Sequence, residues 1–447
     1  MDEKLIKIFN ACNPNLAAEE NFYTDCKIAR GGEVLAQKVK KNLQLLKSDF
    51  LRFLFTGHIG SGKSSELLHL ESILKQETNF LPVYVDIEKY IDFENANLDD
   101  IFLAIAVEIA DLIQSELKIQ LKNSYFEEKF AEIKDIFLTK RKVSDIEVDI
   151  FGLGKAKIQE IKKNDEAKRQ LYEAINKDTK SLLEELNLFI KEATLKLLQK
   201  NTPYTKLVII VDSLEKIKKL GEKTDELASQ KELFIGNQTK LRGIEAHIIY
   251  TVPLSLYRSD SGPTLMHYYN ECFVLPMVKV SHRGDINKPF QEGCKAFIEI
   301  LTKRLSEIPL NEAFDKDALA LLIKYSGGNL RNLMRFIQEA IMSLDSLPIT
   351  YKVARKSTQP TVRIYAAAIK ESYYPKLVEL DADSNQQIDT EDPDFWTMLE
   401  NLTVMEYSNG DDTDRLDDSW YAVNPIVYEV GKFQTAQENF KKTKRKK

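Results

Sequence analysis

Short apolar runs alternate with longer stretches of helical spacing along the first two thirds of the chain. Residues 53–55 are apolar on both faces and predict a buried strand. Glycines follow, and then Glu66-Leu-Leu-His-Leu-Glu-Ser-Ile-Leu74 runs at helical spacing. Residues 81–87 predict a second core strand. Asn97 reads as the cap of a helix from Leu98, with Asp100 as its capping-box partner. Ile101, Leu103, Ile105, Ile109 and Leu112 are its apolar positions. Residues 207–211 are all apolar and end in Asp212, as expected of a buried parallel strand. Further strands are predicted over 246–255 and 272–280. Strands at five places with helices between them predict an α/β fold with a parallel sheet.

The region 120–200 interrupts this alternation as an insertion. Tyr125, Phe126, Phe130, Ile133 and Phe137 recur at helical spacing, whereas Ile146, Val148 and Ile150 alternate with Asp145, Glu147 and Asp149. Residues 143–161 therefore predict a β-hairpin, and 165–200 one long helix or two. The resulting division is a lead-in segment (1–50), a core (51–287) containing the insertion, a helical lid (288–350), a small domain (351–435) and a basic tail (436–447). The lead-in carries a helix near Lys4. The small domain is read as a helix over 362–379, a short helix over 395–402, and a ribbon of 403–410 with 420–427. Helices ending in such a ribbon suggest a winged helix.

The glycine turn reads Gly57-His58-Ile59-Gly60-Ser61-Gly62-Lys63-Ser64-Ser65. Strand, turn and helix with the spacing Gly57-x4-Gly62-Lys63-Ser64 form the Walker A pattern. Glycines let backbone N–H groups turn inward around a phosphate, and the helix N-terminus adds partial positive charge. In this reading Gly57 to Ser65 hold the nucleotide, Lys63 contacts the β- and γ-phosphates, and the Ser64 hydroxyl ligates Mg²⁺. The plain alternative is a glycine turn before an ordinary helix. Asp212 fits the Walker B carboxylate that holds Mg²⁺, a weak signal alone but a strong one after Walker A. Thr251, near the end of its strand, is placed to bond near the γ-phosphate or the attacking water, or simply to end the strand. In Ser326-Gly-Gly-Asn329-Leu-Arg331 the glycines end one helix and Asn329 caps the next. Arg331 then sits in a first turn, where the helix dipole disfavours a cation, and so reads as an arginine reaching to nucleotide phosphates.

Composition narrows the rest. Hydrophobic content of 43% supports ordinary cores, and 30% charged residues with a net charge of −6 carry no global nucleic-acid signature. No run of about 18 apolar residues is present, so no membrane helix is expected. The start, Met1-Asp-Glu-Lys-Leu-Ile-Lys7, lacks an apolar signal core. Cys12, Cys26, Cys272 and Cys294 show no CxxC pairing and read as reduced thiols, so a cytoplasmic location is expected. The histidines show no HExxH spacing, which leaves nucleotide-bound Mg²⁺ as the expected metal. Five aspartates between 411 and 418 repel phosphate and favour a protein contact at the ribbon. The tail Lys441-Lys-Thr-Lys-Arg-Lys-Lys447 reads as a solubilising end or a nucleic-acid contact.

These blocks together resemble P-loop ATPases of the AAA+/STAND group, over most of 20–430. Residues 57–64 match Walker A, and 208–215 resemble the apolar-Asp-x-Leu-acid Walker B of STAND proteins. Residues 248–253 resemble the sensor 1 strand with Thr251, and 327–333 the sensor 2 helix with Arg331. Ala29-Arg30-Gly31 resembles a lead-in that contacts nucleotide, and 407–427 the winged-helix end. The resemblance implies an AAA+-like sheet with a helical insertion, a helical lid and a C-terminal winged helix. It also implies ATP and Mg²⁺ as cofactors, ATP hydrolysis, and self-association or a separate effector protein, as in prokaryotic conflict and defence systems. Many members place a glutamate after the Walker B aspartate; Ser213 stands there, so Glu215 takes the role of base or the protein is a slow switch. Arg258 has the most suitable position for a trans-acting arginine, with Arg283 and Arg242 as rivals. Two alternatives remain: a DNA-binding initiator or transposition ATPase using the winged helix and tail, and a non-hydrolysing scaffold.

Overall fold

A computed structural model describes residues 2–32, 35–45, 49–119, 179–223, 225–389, 392–409 and 419–444. The expected hairpin over 143–161, the helical spacing before it, the start of the 165–200 helix and the aspartates of 411–418 lie outside the described residues. The chain divides into two compact units: residues 36–55 with 70–273, and residues 1–35 with 56–69 and 274–447.

The sheet is built from β1 (Arg52–Gly57), β2 (Phe80–Asp86), β3 (Lys206–Asp212), β4 (His247–Thr251) and β5 (Glu271–Leu275), in the order β2-β3-β4-β1-β5. The pairs β1–β4, β3–β4 and β2–β3 are parallel. Parallel ladders need both faces covered, and β3 is buried from Leu207 to Asp212. The register sets Phe55 beside Thr251, Val211 beside Tyr250 and Asp86 beside Asp212. The carboxyl ends of these four strands therefore form one row. The helix Leu98–Ser115 is buried continuously from Leu98 to Ala110, as expected of a helix apolar on all sides. Its start carries the anticipated capping box, with the Asn97 N–H donating to Asp100 Oδ2 at 2.9 Å. It packs on the helix Thr179–Gln199, which buries Leu182, Leu186, Phe189, Ala193 and Leu197.

The other unit is mainly helical. Its core draws Phe297, Leu301, Leu322, Leu333, Ile337, Leu377 and Phe433 together. It also holds the small hairpin of β6 (Ser281–His282) and β7 (Asp285–Pro289), and the ribbon of β8 (Val404–Ser408) and β9 (Ser419–Val423). Tyr407 and Trp420, opposite each other in the ribbon, stack with ring centroids 4.5 Å apart. Several boundaries differ from the sequence reading: the strand expected over 246–255 ends at Thr251, and the ribbon strand expected over 420–427 ends at Val423. The strand expected over 272–280 stops at Leu275, because Pro276 has no N–H for a ladder. The helix expected over 362–379 is two, Gln359–Ala368 and Tyr373–Ala382. Inside one continuous helix the Pro375 ring would meet the carbonyl four residues earlier; the break puts it in a first turn, where no N–H is needed. Among the described residues no helix is long and apolar enough to cross a membrane.

One buried titratable group at the sheet gives a pH test. The Leu51 N–H donates to His247 Nδ1 at 3.1 Å, and Phe50 and Phe80 meet the imidazole edge-on. Burial, reinforced by Lys206 and Arg52, pushes His247 down from 6.5 to about 4. A base held below its unfolded pKa contributes fully above about 6.5 and loses that contribution as the pH falls toward 4. Thermal denaturation should therefore show the melting temperature dropping across that window, and His247→Asn should flatten the drop while lowering stability at neutral pH.

Candidate functional site

The glycine loop has too few side chains to satisfy its own backbone, yet each of its carbonyls from Gly57 to Gly62 has a donor. The Lys63 ammonium folds back over Gly57 O at 3.1 Å and His58 O at 3.3 Å. Asn329 Nδ2 donates to Ile59 O at 2.8 Å. The Arg331 N–H points at Gly60 O at 3.4 Å. Arg30 Nη2 donates to Ser61 O at 2.7 Å, and the Glu66 N–H to Gly62 O at 3.1 Å, which opens the helix Lys63–Glu77. A trans peptide is planar, with C=O and N–H on opposite sides. Carbonyls tied outward thus turn amides to the other side of the loop, the condition for an anion-binding nest.

Glycine is needed in two places. Gly60 has φ +78°, and a Cβ there would lie 2.5 Å from Asn329 Oδ1 and 2.8 Å from Arg331 Cβ. Gly62 has φ +101°, and a Cβ there would lie 3.2 Å from Leu330 Cδ1 and 3.4 Å from Arg30 Nη2. Between them Ser61 is fully buried, and its hydroxyl has no hydrogen-bond partner.

The lead-in segment braces the loop and the helix after it. Arg30 is 7% exposed. Besides Ser61 O it holds Pro276 O at 2.6 Å through Nη1, and its buried Nε has no partner. The Ala18 N–H donates to Ser65 Oγ at 2.8 Å. Tyr23 donates to Glu66 Oε2 at 3.1 Å and stacks on His69 with centroids 3.8 Å apart. The bonds these lead-in residues make here are braces of the loop and its helix.

Two other segments of the same unit reach the loop. Asn329 caps the helix Leu330–Ile341 through the Asn332 N–H at 3.0 Å while its amide holds Ile59 O. The predicted cap is correct, and its second bond was not legible in the sequence. Arg331, on that first turn, directs Nε toward Pro14 O at 3.4 Å. The ribbon arrives through β8: the Glu406 N–H donates to His58 Nε2 at 2.8 Å, and Tyr407 Oη donates to Gly327 O at 2.7 Å. Acceptance at Nε2 requires the tautomer protonated on Nδ1. His58, one of the four positions that the motif leaves variable, is thus bonded to the ribbon.

In the other unit, Asp212 ends β3 and is 2% exposed. Its Oδ1 accepts from the Ser213 N–H at 2.7 Å and its Oδ2 from the Tyr84 hydroxyl at 2.6 Å. Ser213 adopts φ +72°, a left-handed conformation that costs an L-residue roughly 1–2 kcal/mol and that turns the chain sharply after β3. Glu215 lies two residues on, in the 3-10 turn Leu214–Lys216. Thr251 is fully buried, and its hydroxyl accepts from the Leu214 N–H at 2.9 Å. It therefore braces the turn that follows Asp212. Arg258 ends the helix Leu254–Arg258, with its guanidinium 5.4 Å from the Tyr257 ring centroid.

The donor chemistry fits a nucleotide and its metal. Ser61 offers an orphaned buried hydroxyl, and a Cβ at Gly60 would collide with Asn329 and Arg331, so the loop can close only with glycine there. Ser64, in the first helical turn, and Asp212 are hard oxygen donors of the kind Mg²⁺ takes when phosphates and waters complete its shell. Among the described residues no cluster of three His, Cys, Asp or Glu side chains could hold a metal without such help.

No family profile and no curated protein matches the chain. Two solved structures are similar along nearly its whole length. The Walker-type ATPase of Pyrococcus abyssi is 14% identical, with a TM-score of 0.44, over 96% of this chain and 99% of that one. Cdc6p from Pyrobaculum aerophilum is 11% identical, with a TM-score of 0.39, over 96% and 98% respectively.

Asn329→Ala removes the cap, worth about 1 kcal/mol, and leaves the Ile59 carbonyl without its side-chain donor, costing roughly 1–3 kcal/mol more. Asn329→Ser keeps a capping oxygen but not the reach to Ile59, and should recover only the first part. Chemical denaturation of the three proteins checks the order.

Proposed function

We propose that the chain is a Mg²⁺-dependent P-loop ATPase of the AAA+/STAND type, acting as a nucleotide-gated switch. The observation that carries this reading is the glycine loop with its carbonyls tied outward and Lys63 folded over it. Bound Mg²⁺–ATP would supply the phosphoanhydride and the charge that activates it. The chain's own part is to cradle the phosphates on loop amides, to bring the Lys63 ammonium to the β/γ oxygens, and to offer the Ser64 hydroxyl and the Asp212 carboxylate as oxygen donors to the metal. Glu215 is the candidate for orienting the attacking water, since Ser213 is a poor base.

The switch follows from what else holds the loop. Asn329 belongs to the lid, and the Glu406 N–H to the ribbon of the C-terminal segment read as a winged helix. A ligand that draws Lys63 off the Gly57 and His58 carbonyls changes the loop these groups grip. It thereby biases the lid and ribbon by its differential affinity for the two arrangements. The output is assembly, with a second copy of the chain or with a separate effector protein; Arg258 is the candidate for reaching a neighbouring site in such an assembly. A role in prokaryotic defence is compatible with that output. A second reading, a DNA-dependent initiator ATPase, is favoured by Lys441, Lys442 and Lys444 in the last turn of the helix Gly431–Lys444.

The test is ATP binding and turnover with Mg²⁺, with and without double-stranded DNA. Lys63→Ala should weaken ATP binding roughly 10- to 100-fold, as loss of a charge-assisted contact predicts. Glu215→Gln should keep binding and lose turnover. Tight binding without turnover in the wild type would replace the ATPase by a scaffold. DNA stimulation that is lost with residues 441–447 and with rising salt would promote the initiator reading.

A further inference from the structure

Asp212 is not left to find its own orientation. The Ser213 amide holds one carboxylate oxygen and the Tyr84 hydroxyl the other, at 2.7 and 2.6 Å. The two donors come from different places. The Ser213 amide is fixed by the turn after β3, which is itself held by the Leu214 N–H on Thr251 Oγ1 and by Gln230 Nε2 on Leu214 O and Ile217 O.

The Tyr84 hydroxyl comes from the neighbouring strand. Parallel register pairs Tyr84 with Ile210, and Asp86 with Asp212. Side chains alternate along a strand, so Tyr84, Ile210 and Asp212 share one face. Asp212 lies two residues beyond the partner of Tyr84, a step of roughly 6.6 Å. A ring leaning along the strand covers that step, and shorter polar side chains would not. The hydroxyl donates 128 residues along the chain from its own position, which is why no local motif reveals it.

From this geometry we infer that Tyr84 is a positioning residue for the metal carboxylate. It is not a ligand. Its hydrogen bond, with that of Ser213, fixes the plane of the Asp212 carboxylate and hence the direction in which its lone pairs meet a metal-bound water. Metal ligands depend on such outer partners, whose loss typically lowers metal affinity about 10- to 100-fold. The inference rests on the ATPase reading and adds to it a residue outside every motif of the sequence. Tyr84→Phe keeps the ring and removes only the donor.

The experiment titrates Mg²⁺ into full-length protein with a fluorescent ATP analogue and reads nucleotide binding, with an EDTA arm for metal-free affinity. Melting curves confirm that each variant is folded. Tyr84→Phe should need about tenfold more Mg²⁺ for half-saturation while its EDTA affinity stays at the wild-type value. In an Asp212→Asn background the same substitution should produce no further shift, because Tyr84 acts through that carboxylate. A wild type that responds to Mg²⁺ beside an unmoved Tyr84→Phe overturns the inference alone. So does equal loss in the Mg²⁺ and EDTA arms, or a full shift persisting in the Asp212→Asn background. A wild type that binds no ATP overturns the ATPase reading and the inference with it.

Discussion

Buried or half-buried backbone must have its polar groups satisfied, and the glycine loop meets that demand almost entirely from outside itself. Residues with small or absent side chains let the backbone turn, but they bring no donors. Most of the donors come from Lys63 just after the loop, from Arg30 before it, and from Asn329 and Arg331 some 270 residues later, with the Ser61 and Glu66 amides completing the set. Each tie orients one peptide plane. Remove the ties, and the loop remains flexible enough to turn but loses the common orientation of its amides, on which phosphate binding depends.

The same ties explain the placement of residues that seem badly suited to their local positions. A cation in a first helical turn is disfavoured by the dipole, yet Arg331 sits beside Gly60, where its backbone amide reaches the loop. A buried arginine without a carboxylate partner is costly, yet Arg30 finds two carbonyls and is held between the loop and Pro276. In both cases a local rule yields to a long-range bond at the candidate site. Ser213, with positive φ, is a strained residue of another kind: it opens the turn whose next amide bonds Thr251.

This pattern also marks what could and could not be read from sequence. The strand–loop–helix, the capping box at Asn97 and the cap at Asn329 are local, and the hydrophobic and polar pattern placed them correctly. The strand ending at Pro276 and the helix divided before Pro375 were local as well; the missed signal there was a proline whose effect depends on its position within the element. The Arg30 brace, the ribbon's bond to His58 and the Tyr84 bond to Asp212 had no local signal. They depend on which strands lie side by side and which segments fold back, and neither follows from residue spacing. Thr251 is a further case. Its place near a strand end suggested a bond near the γ-phosphate or the attacking water, or simply the end of the strand; spacing gave no sign that its hydroxyl also accepts from the Leu214 N–H and completes the turn after the aspartate.

On the ATPase reading, the two units divide the chemistry by the source of rigidity. Asp212 is held by groups of the sheet: a neighbouring strand, the turn after β3, and a threonine at the end of β4. Such positions move little, since sheet register fixes every side chain along a strand. The loop is held by side chains and two backbone amides from the lid, lead-in and ribbon, each a single hydrogen bond worth about 1 kcal/mol net. Bonds of that size are strong enough together to set a conformation and weak enough singly to be exchanged for contacts with a phosphate. A loop whose grip can be redistributed is what a nucleotide-gated switch requires, because the ligand then does its work on that grip.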